Sequence, residues 1–477
     1  MKRAFSPITR HFPTETLFND KRLEKRFHWL KNRMEAKSSS IINHITMRHA
    51  DRQASYRFMR NTSVKTREIL GQEQSLCRKT CHGRELVVVG DTSQFSLKEQ
   101  VSYLKDSDKL GVLGDNKTPG FLAHANMAMD AHTGAELGLS DLMFWTRQRS
   151  EGRSPKLPFE QRESYKWELG IKHSEEVLAQ AKAITYVFDR ESDIFSLFAK
   201  VKAMTEARNL ISRVHYPRKV RVGDSEHSLD SLFDSIDPSG CYTLLLRKKN
   251  RRNTSRRIDQ SRQERAAKIQ VRFTPIMLQA PLDQQATTPS VQLWAVEALE
   301  SADTVPQGEE PVHWRLITTH EITSPQEAMK VIRWYEMRWM VEELFRLLKT
   351  QGFNIEGARL EYFSSILKLT AMAFSTALKT LQLVLARDNP QAQPVKEVFS
   401  ESQQSCLAAL NEKYQGETEK QRNPYPPDSL SWASWIIGRI GGWKGLKSQG
   451  WPGPITMKRG LDEFYTYYDA WAIFSNN

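Results

Sequence analysis

Cysteine is scarce: four in 477 residues, Cys77, Cys81, Cys241 and Cys406, too few for a disulfide framework to hold a chain of this length. Cys77, Cys81 and His82 lie close in sequence, but no second Cys or His pair follows at finger spacing, so they read as thiols rather than zinc ligands. Long apolar runs are missing and the mean hydropathy is -0.57, which argues against a transmembrane helix. The opening MKRAFSPITRHFPTETLF has two early positive charges with no apolar core behind them, so a secretory signal is not expected and the cytoplasm is. Low-complexity tracts and internal repeats are lacking too. Acidic residues are outnumbered, 56 against 69 Lys and Arg, leaving a net charge of +13 and a pI near 9.4. Such a surplus points to a polyanionic partner, most commonly nucleic acid, with a membrane surface or an acidic protein as the other options. The length calls for two to four domains.

From about Thr14 to Gln74 the chain reads as helical, with Asp20 as a cap before DKRLEKRFHWLKNRM and a second basic helix in ADRQASYRFMRN. Lys21, Arg22, Lys25, Arg26, Arg57 and Arg60 suit phosphate contact, or equally a solvated basic face. The character changes at Arg84. ELVVVGDTSQFSL has the length and composition of a buried strand ending in a polar turn, with Asp91 at its end. His132, Thr133 and Gly134 then split Phe121 to Trp145 as a hairpin signal. ESYKWELGIKHSEEVLAQA reads as an amphipathic helix, and AITYVFDRESDIF as a second buried strand ending at Asp189.

Ser324 to Gly352, SPQEAMKVIRWYEMRWMVEELFRLLKTQG, reads as one long helix. Ser324 and Glu327 form a capping box, Pro325 takes the first helical position and Gly352 stops it. At about 100° per residue, Tyr335, Arg338, Glu342 and Lys349 fall within roughly 60° of one another, opposite Met337, Met340, Val341, Leu344, Leu347 and Leu348. Glu343 points about 100° away from Glu342 and cannot share the stripe. About 150 residues separate Asp189 from Glu342, so a sub-domain is inserted there. Its β-branched and aromatic runs predict a β-sheet. Arg247 to Lys268 carries ten basic residues against Asp259 and Glu264, a solvated loop or one that closes on a DNA backbone.

The spacing Tyr335, Arg338, Glu342, Lys349 resembles the third catalytic segment of bacterial insertion-sequence transposases with an Asp-Asp-Glu site, in their hairpin-forming cut-and-paste branch. GDTSQFSL resembles the first segment and Asp189-Arg190-Glu191-Ser192-Asp193 the second. YRFMRN and the stretch IIGRIGGWKGLKSQGWPGPITMKRGLDEF resemble the family's end-reading and C-terminal segments, so the likeness runs from about residue 14 to 465.

The resemblance implies an α/β fold: an RNase H-like catalytic domain with an inserted β-sheet sub-domain, flanked by N- and C-terminal helical domains. The boundaries would be 1–74, 75–390 with the insertion at about 205–320 and its basic loop at 247–268, and 391–477 as a dimerisation domain. Asp91, Asp189 and Glu342 would be catalytic and hold two Mg2+ ions, with Mn2+ as a substitute, since hard cations prefer carboxylates. Glu191 and Asp193 would support them. Tyr335, Arg338 and Lys349 would hold terminal phosphates, Trp314 would stack on a base turned out of the helix, and Arg213 would bind phosphate. With Arg22, Arg26, Arg57, Arg60, Arg251, Arg252, Arg256 and Arg257 these make up the expected DNA contacts. The partners would be double-stranded transposon ends, target DNA and a second copy of the chain, with no membrane, in a bacterial cytoplasm at the nucleoid. A structure-specific nuclease of the same fold and a catalytically silent DNA-binding regulator are the competing functions.

Overall fold

The computed structural model describes residues 5–9, 18, 20–149, 157–246, 252–254, 257–259, 262–281, 289–349, 352–389, 392–416, 418–446 and 449–475. Four helices come first, α1 (Lys21–Lys37), α2 (Ile42–Ile45), α3 (His49–Arg60) and α4 (Thr66–Cys81). Strands β1 (Glu85–Ser96), β2 (Gly111–Val112), β3 (Pro119–Asp130) and β4 (Glu136–Trp145) follow, then helix α5 (Lys166–Leu178), strand β5 (Ala183–Phe188) and helix α6 (Phe195–Lys202). Next are β6 (Arg208–Arg213), β7 (Lys219–Val222), β8 (Ser225–Ser228), the short helix α7 (Leu229–Asp234) and β9 (Gly240–Leu246). Strands β10 (Arg252–Thr254), β11 (Arg257–Asp259), β12 (Arg265–Gln279), β13 (Ser290–Glu300) and β14 (His313–Thr318) complete the β region. The chain closes with α8 (Pro325–Met337), α9 (Trp339–Lys349), α10 (Phe363–Ala386), α11 (Glu401–Tyr414), α12 (Leu430–Ile440) and α13 (Pro454–Ser475).

Two compact units result, one of Met1–Leu86, Gly90–Lys182 and Trp339–Asn477, the other of Val87–Val89 and Ala183–Arg338. In the first, α10 is the central element. By length and composition it could cross a membrane, yet 83% of its apolar window is buried in the protein, as a core helix requires. Phe95 of β1 stacks on Phe121 of β3 at 5.1 Å, and Phe345 of α9 meets Phe374 of α10 edge-on at 5.6 Å. This aromatic layer fixes α9 against β1. Strand β3 lies beside β1 on one edge and pairs with β2 and β4 on the other. The expected hairpin between β3 and β4 is present, with the Asp130 carboxylate accepting from the His132 and Thr133 backbone N–H groups at 3.0 Å each. At the C-terminal end α12 and α13 meet through Gly460, where a Cβ would lie 1.9 Å from the Ile437 carbonyl oxygen. Only glycine permits that approach. The N-terminal helical run does not stop at Gln74: α4 continues to Cys81, its Cys77 and Cys81 thiols buried 3.8 Å apart.

In the second unit the strand order is β1 (Val87–Val89), β5, β6, β14, β13, β12, β7, β8, with β9 also on β12. Strands β5 and β6 are parallel, while β6–β14, β14–β13, β13–β12, β12–β7, β12–β9 and β7–β8 are antiparallel, so the sheet is mixed. The run expected as an inserted β-sheet continues the β5 sheet, because β6 pairs with both β5 and β14. The basic stretch contains a small hairpin, with Arg252 opposite Asp259 and Thr254 opposite Arg257.

Candidate functional site

Asp91 is within β1 rather than at its end, where the sequence reading put it. The strand continues because Phe95, four residues on, is anchored in the aromatic layer. Side chains alternate along a strand, so Asp91, Ser93 and Phe95 share one face and Thr92 takes the other. Asp91 is half-buried, and its Oδ1 accepts from the Thr92 backbone N–H at 2.7 Å.

Lys349, in the last turn of α9, reaches the same face. Its Nζ donates to Ser93 Oγ at 2.7 Å and lies 5.1 Å from the centre of the Phe95 ring. Burial lowers the Lys349 pKa from its ordinary value, against the opposing pull of the Glu356 and Asp91 carboxylates. Glu356 also accepts from the Ser96 backbone N–H at 2.9 Å, tying the far end of β1. Glu342 is half-buried on α9, two turns before Lys349 and thus on the same helix face. Its neighbour Glu343 is ion-paired with Arg346 one turn on.

The long helix expected from Ser324 to Gly352 is divided. Its start is as read, with the Ser324 and Glu327 capping box and Pro325 in the first turn. At Arg338 the backbone N–H turns to the Tyr335 carbonyl at 3.1 Å, the tighter three-residue pattern, and α8 gives way to α9. Tyr335 lies on α8 and Arg338 at its end, whereas Glu342 and Lys349 lie on α9.

Asp189, Tyr335, Arg338, Trp314 and Arg213 belong to the second unit. Asp189 caps the turn after β5, its Oδ1 accepting from the Glu191 N–H at 2.9 Å. Its carbonyl oxygen accepts from Ser192 Oγ at 2.7 Å and Ser212 Oγ at 3.3 Å. Asp193 is buried and takes a two-point ion pair from Arg218, with Nη2 to Oδ1 at 2.7 Å, plus the His215 N–H at 2.9 Å. Trp314, half-buried on β14, meets Tyr335 edge-on at 5.8 Å, and the Arg338 guanidinium is 5.8 Å from the Tyr335 ring. Tyr335 itself is only 6% exposed. Arg213 donates to the His313 carbonyl at 3.2 Å. These four side chains therefore gather around β14 and the end of α8.

On the N-terminal helices, Lys21, Lys25 and Arg57 are exposed. Arg22 pairs with Asp20 at 2.9 Å, Arg26 with Asp51 at 3.4 Å and Arg60 with Glu361 at 3.1 Å. Arg251 and Arg256 lie outside the described residues, while Arg252 and Arg257 are on the strands of the small hairpin. Sequence reasoning missed Ser93, Glu356, Ser212 and His124, whose Nδ1 is 2.9 Å from Thr92 Oγ1. The GDTS segment already contains Ser93, but nothing local marks the others, which act from distant strands and turns.

Residues 13–64, the segment that holds α1 to α3, match the family described as Transposase DNA-binding. Among solved structures the chain is similar to a piggyBac transposase, seen by cryo-EM as a synaptic complex with hairpin DNA. The identity is 8%, the match covers 98% of this chain and 76% of that one, and the TM-score is 0.37. A likeness of that size says nothing about the reaction.

Proposed function

We propose that this protein is a DNA transposase that cleaves transposon ends and joins them to target DNA by a cut-and-paste route, through a DNA hairpin. The match of residues 13–64 to a transposase DNA-binding domain carries this reading. The catalytic part is an RNase H-like domain in which Asp91, Asp189 and Glu342 hold two Mg2+ ions, replaceable by Mn2+. Three carboxylates are a hard oxygen set that suits those cations. Among the described residues no three or more His, Cys, Asp or Glu side chains are grouped so as to hold a metal ion, so the fit rests on donor chemistry. When bound, the ions supply Lewis-acid stabilisation of the attacking and leaving oxygens.

The remaining work falls to side chains with fixed partners. Lys349, oriented by Ser93, brings a cationic donor to the face that holds Asp91, where a phosphate would meet it. Arg338 and Arg213 add guanidinium groups near Trp314, whose half-exposed ring offers a stacking surface to a displaced base. Assembly on DNA pairs two copies of the chain through the C-terminal helices.

The test uses the full-length protein, DNA carrying the terminal repeats that flank its gene, and Mg2+. Double-strand breaks at the repeat ends followed by joined products are expected. Cleavage without joining would make the protein a nuclease, and binding without cleavage would make it a regulator.

A further inference from the structure

Beneath Asp91, on the opposite face of β1, is a buried polar group that the proposed chemistry does not use. His124 of β3 is fully buried, and its Nδ1 is 2.9 Å from Thr92 Oγ1. The Thr92 backbone N–H in turn donates to Asp91 Oδ1 at 2.7 Å. A hydroxyl can donate or accept, so this contact is satisfied in either tautomer of the imidazole. Burial, with the Lys166 charge behind it, pushes His124 well below the usual histidine range, which keeps the ring neutral.

The ring is held on its other sides. Trp167 of α5 meets it at right angles with centroids 4.8 Å apart. Helix α5 comes this close because residue 170 is glycine: a Cβ there would sit 2.8 Å from Asn126 Nδ2 and 3.4 Å from His124 Nε2. Asn126 Nδ2 donates to Ser174 Oγ at 3.2 Å, and Ser174 Oγ meets Ser140 Oγ at 2.9 Å. The imidazole thus stands among packed neighbours from α5 and its own strand, with Thr92 as its route to the opposite face. Threonine is itself restricted at χ1 by its branched Cβ.

We infer that His124 and Thr92 are positioning residues which fix the rotamer of Asp91 and thereby set its strength as a divalent-cation ligand. The inference rests on the reading of Asp91 as a metal ligand and adds a device that determines its affinity. Groups that orient a ligating carboxylate from behind typically change metal affinity or activity by about 10- to 100-fold when removed. A histidine that only filled the core would affect stability and leave metal affinity alone.

Thr92→Val keeps the shape and deletes the hydroxyl, whereas Thr92→Ser keeps the hydroxyl. The experiment measures the Mn2+ dissociation constant of the full-length protein by paramagnetic resonance of the free ion, together with melting temperature and end binding. Thr92→Val and His124→Leu should weaken Mn2+ binding by about 10-fold or more, Thr92→Ser should restore it to near the wild-type value, and end binding should stay unchanged. If His124→Leu does not fold, the two Thr92 variants still decide the matter. Unchanged Mn2+ affinity in Thr92→Val with a lowered melting temperature overturns the inference, as does Thr92→Ser behaving like Thr92→Val. Asp91→Ala, run in parallel, separates the two levels. If it loses Mn2+ affinity while Thr92→Val does not, only the positioning role falls; if it binds Mn2+ as wild type, the assignment of Asp91 as a ligand falls and takes the inference with it.

Discussion

Lys349 and Ser93 are 256 residues apart in sequence and joined by a 2.7 Å hydrogen bond, Nζ donating to Oγ. The bond carries an ammonium from the last turn of α9 to the strand face that holds Asp91. Replacing Lys349 by Met keeps the stem over Phe95 and removes the charge. Single-turnover cleavage should fall about 100-fold, the usual loss for one preorganised donor at a reacting oxyanion, while end binding changes little. Full cleavage by this variant would remove Lys349 from the site.

Glu342 and Glu343 are adjacent, and Glu343 is ion-paired with Arg346 along the helix. Glu343→Ala should cost about 0.5 kcal/mol of stability or less and leave cleavage near normal. Glu342→Ala should abolish cleavage with end binding intact. The opposite pattern in a cleavage assay would transfer the catalytic role to Glu343.

Trp314 packs edge-on against Tyr335 and is half-buried. Base stacking on an aromatic side chain contributes about 1–3 kcal/mol, so Trp314→Ala should slow hairpin formation by about 10-fold and the first nick less. An abasic site at the displaced position should partly restore the hairpin rate. Equal loss of both steps along with folding stability, and no rescue, would make Trp314 a packing residue.

Neutralising Arg251, Arg252, Arg256 and Arg257 together should weaken DNA binding. The dependence of log affinity on log salt should flatten by about 0.9 for each phosphate that is no longer neutralised. An unaltered slope would assign the stretch to solvent.

Glu136 of β4 is fully buried, and burial, helped by the Glu73 charge, raises its pKa from 4.5 to about 8. With the folded value above the unfolded one, the protonated acid favours the fold. That contribution is complete below pH 4.5 and is lost as the pH rises through about 8. Glu136→Gln, which is neutral at every pH, should therefore melt higher than wild type at pH 9, by an amount on the order of a few kcal/mol in stability. Parallel melting curves for the two proteins from pH 6 to pH 9 would show that Glu136 is not the buried acid responsible.

Much of this chain was legible residue by residue, wherever the determinant is local. The apolar run Leu86–Val89, the turn after Asp130, the Ser324 and Glu327 capping box and the strand before Asp189 all appear where the sequence placed them, because caps, turns and buried runs are decided within a few residues. Tertiary contacts decided the rest. Phe95, seated against Phe121, extended β1 through Asp91, and pairing of β6 with β5 and β14 joined the expected inserted strands to the β5 sheet. The break at Arg338 and the contacts of Lys349 with Ser93 and of His124 with Thr92 are equally invisible to helical periodicity or strand alternation. A period tells which face a residue takes, but the partner on that face comes from another part of the chain, and only the packed structure supplies it.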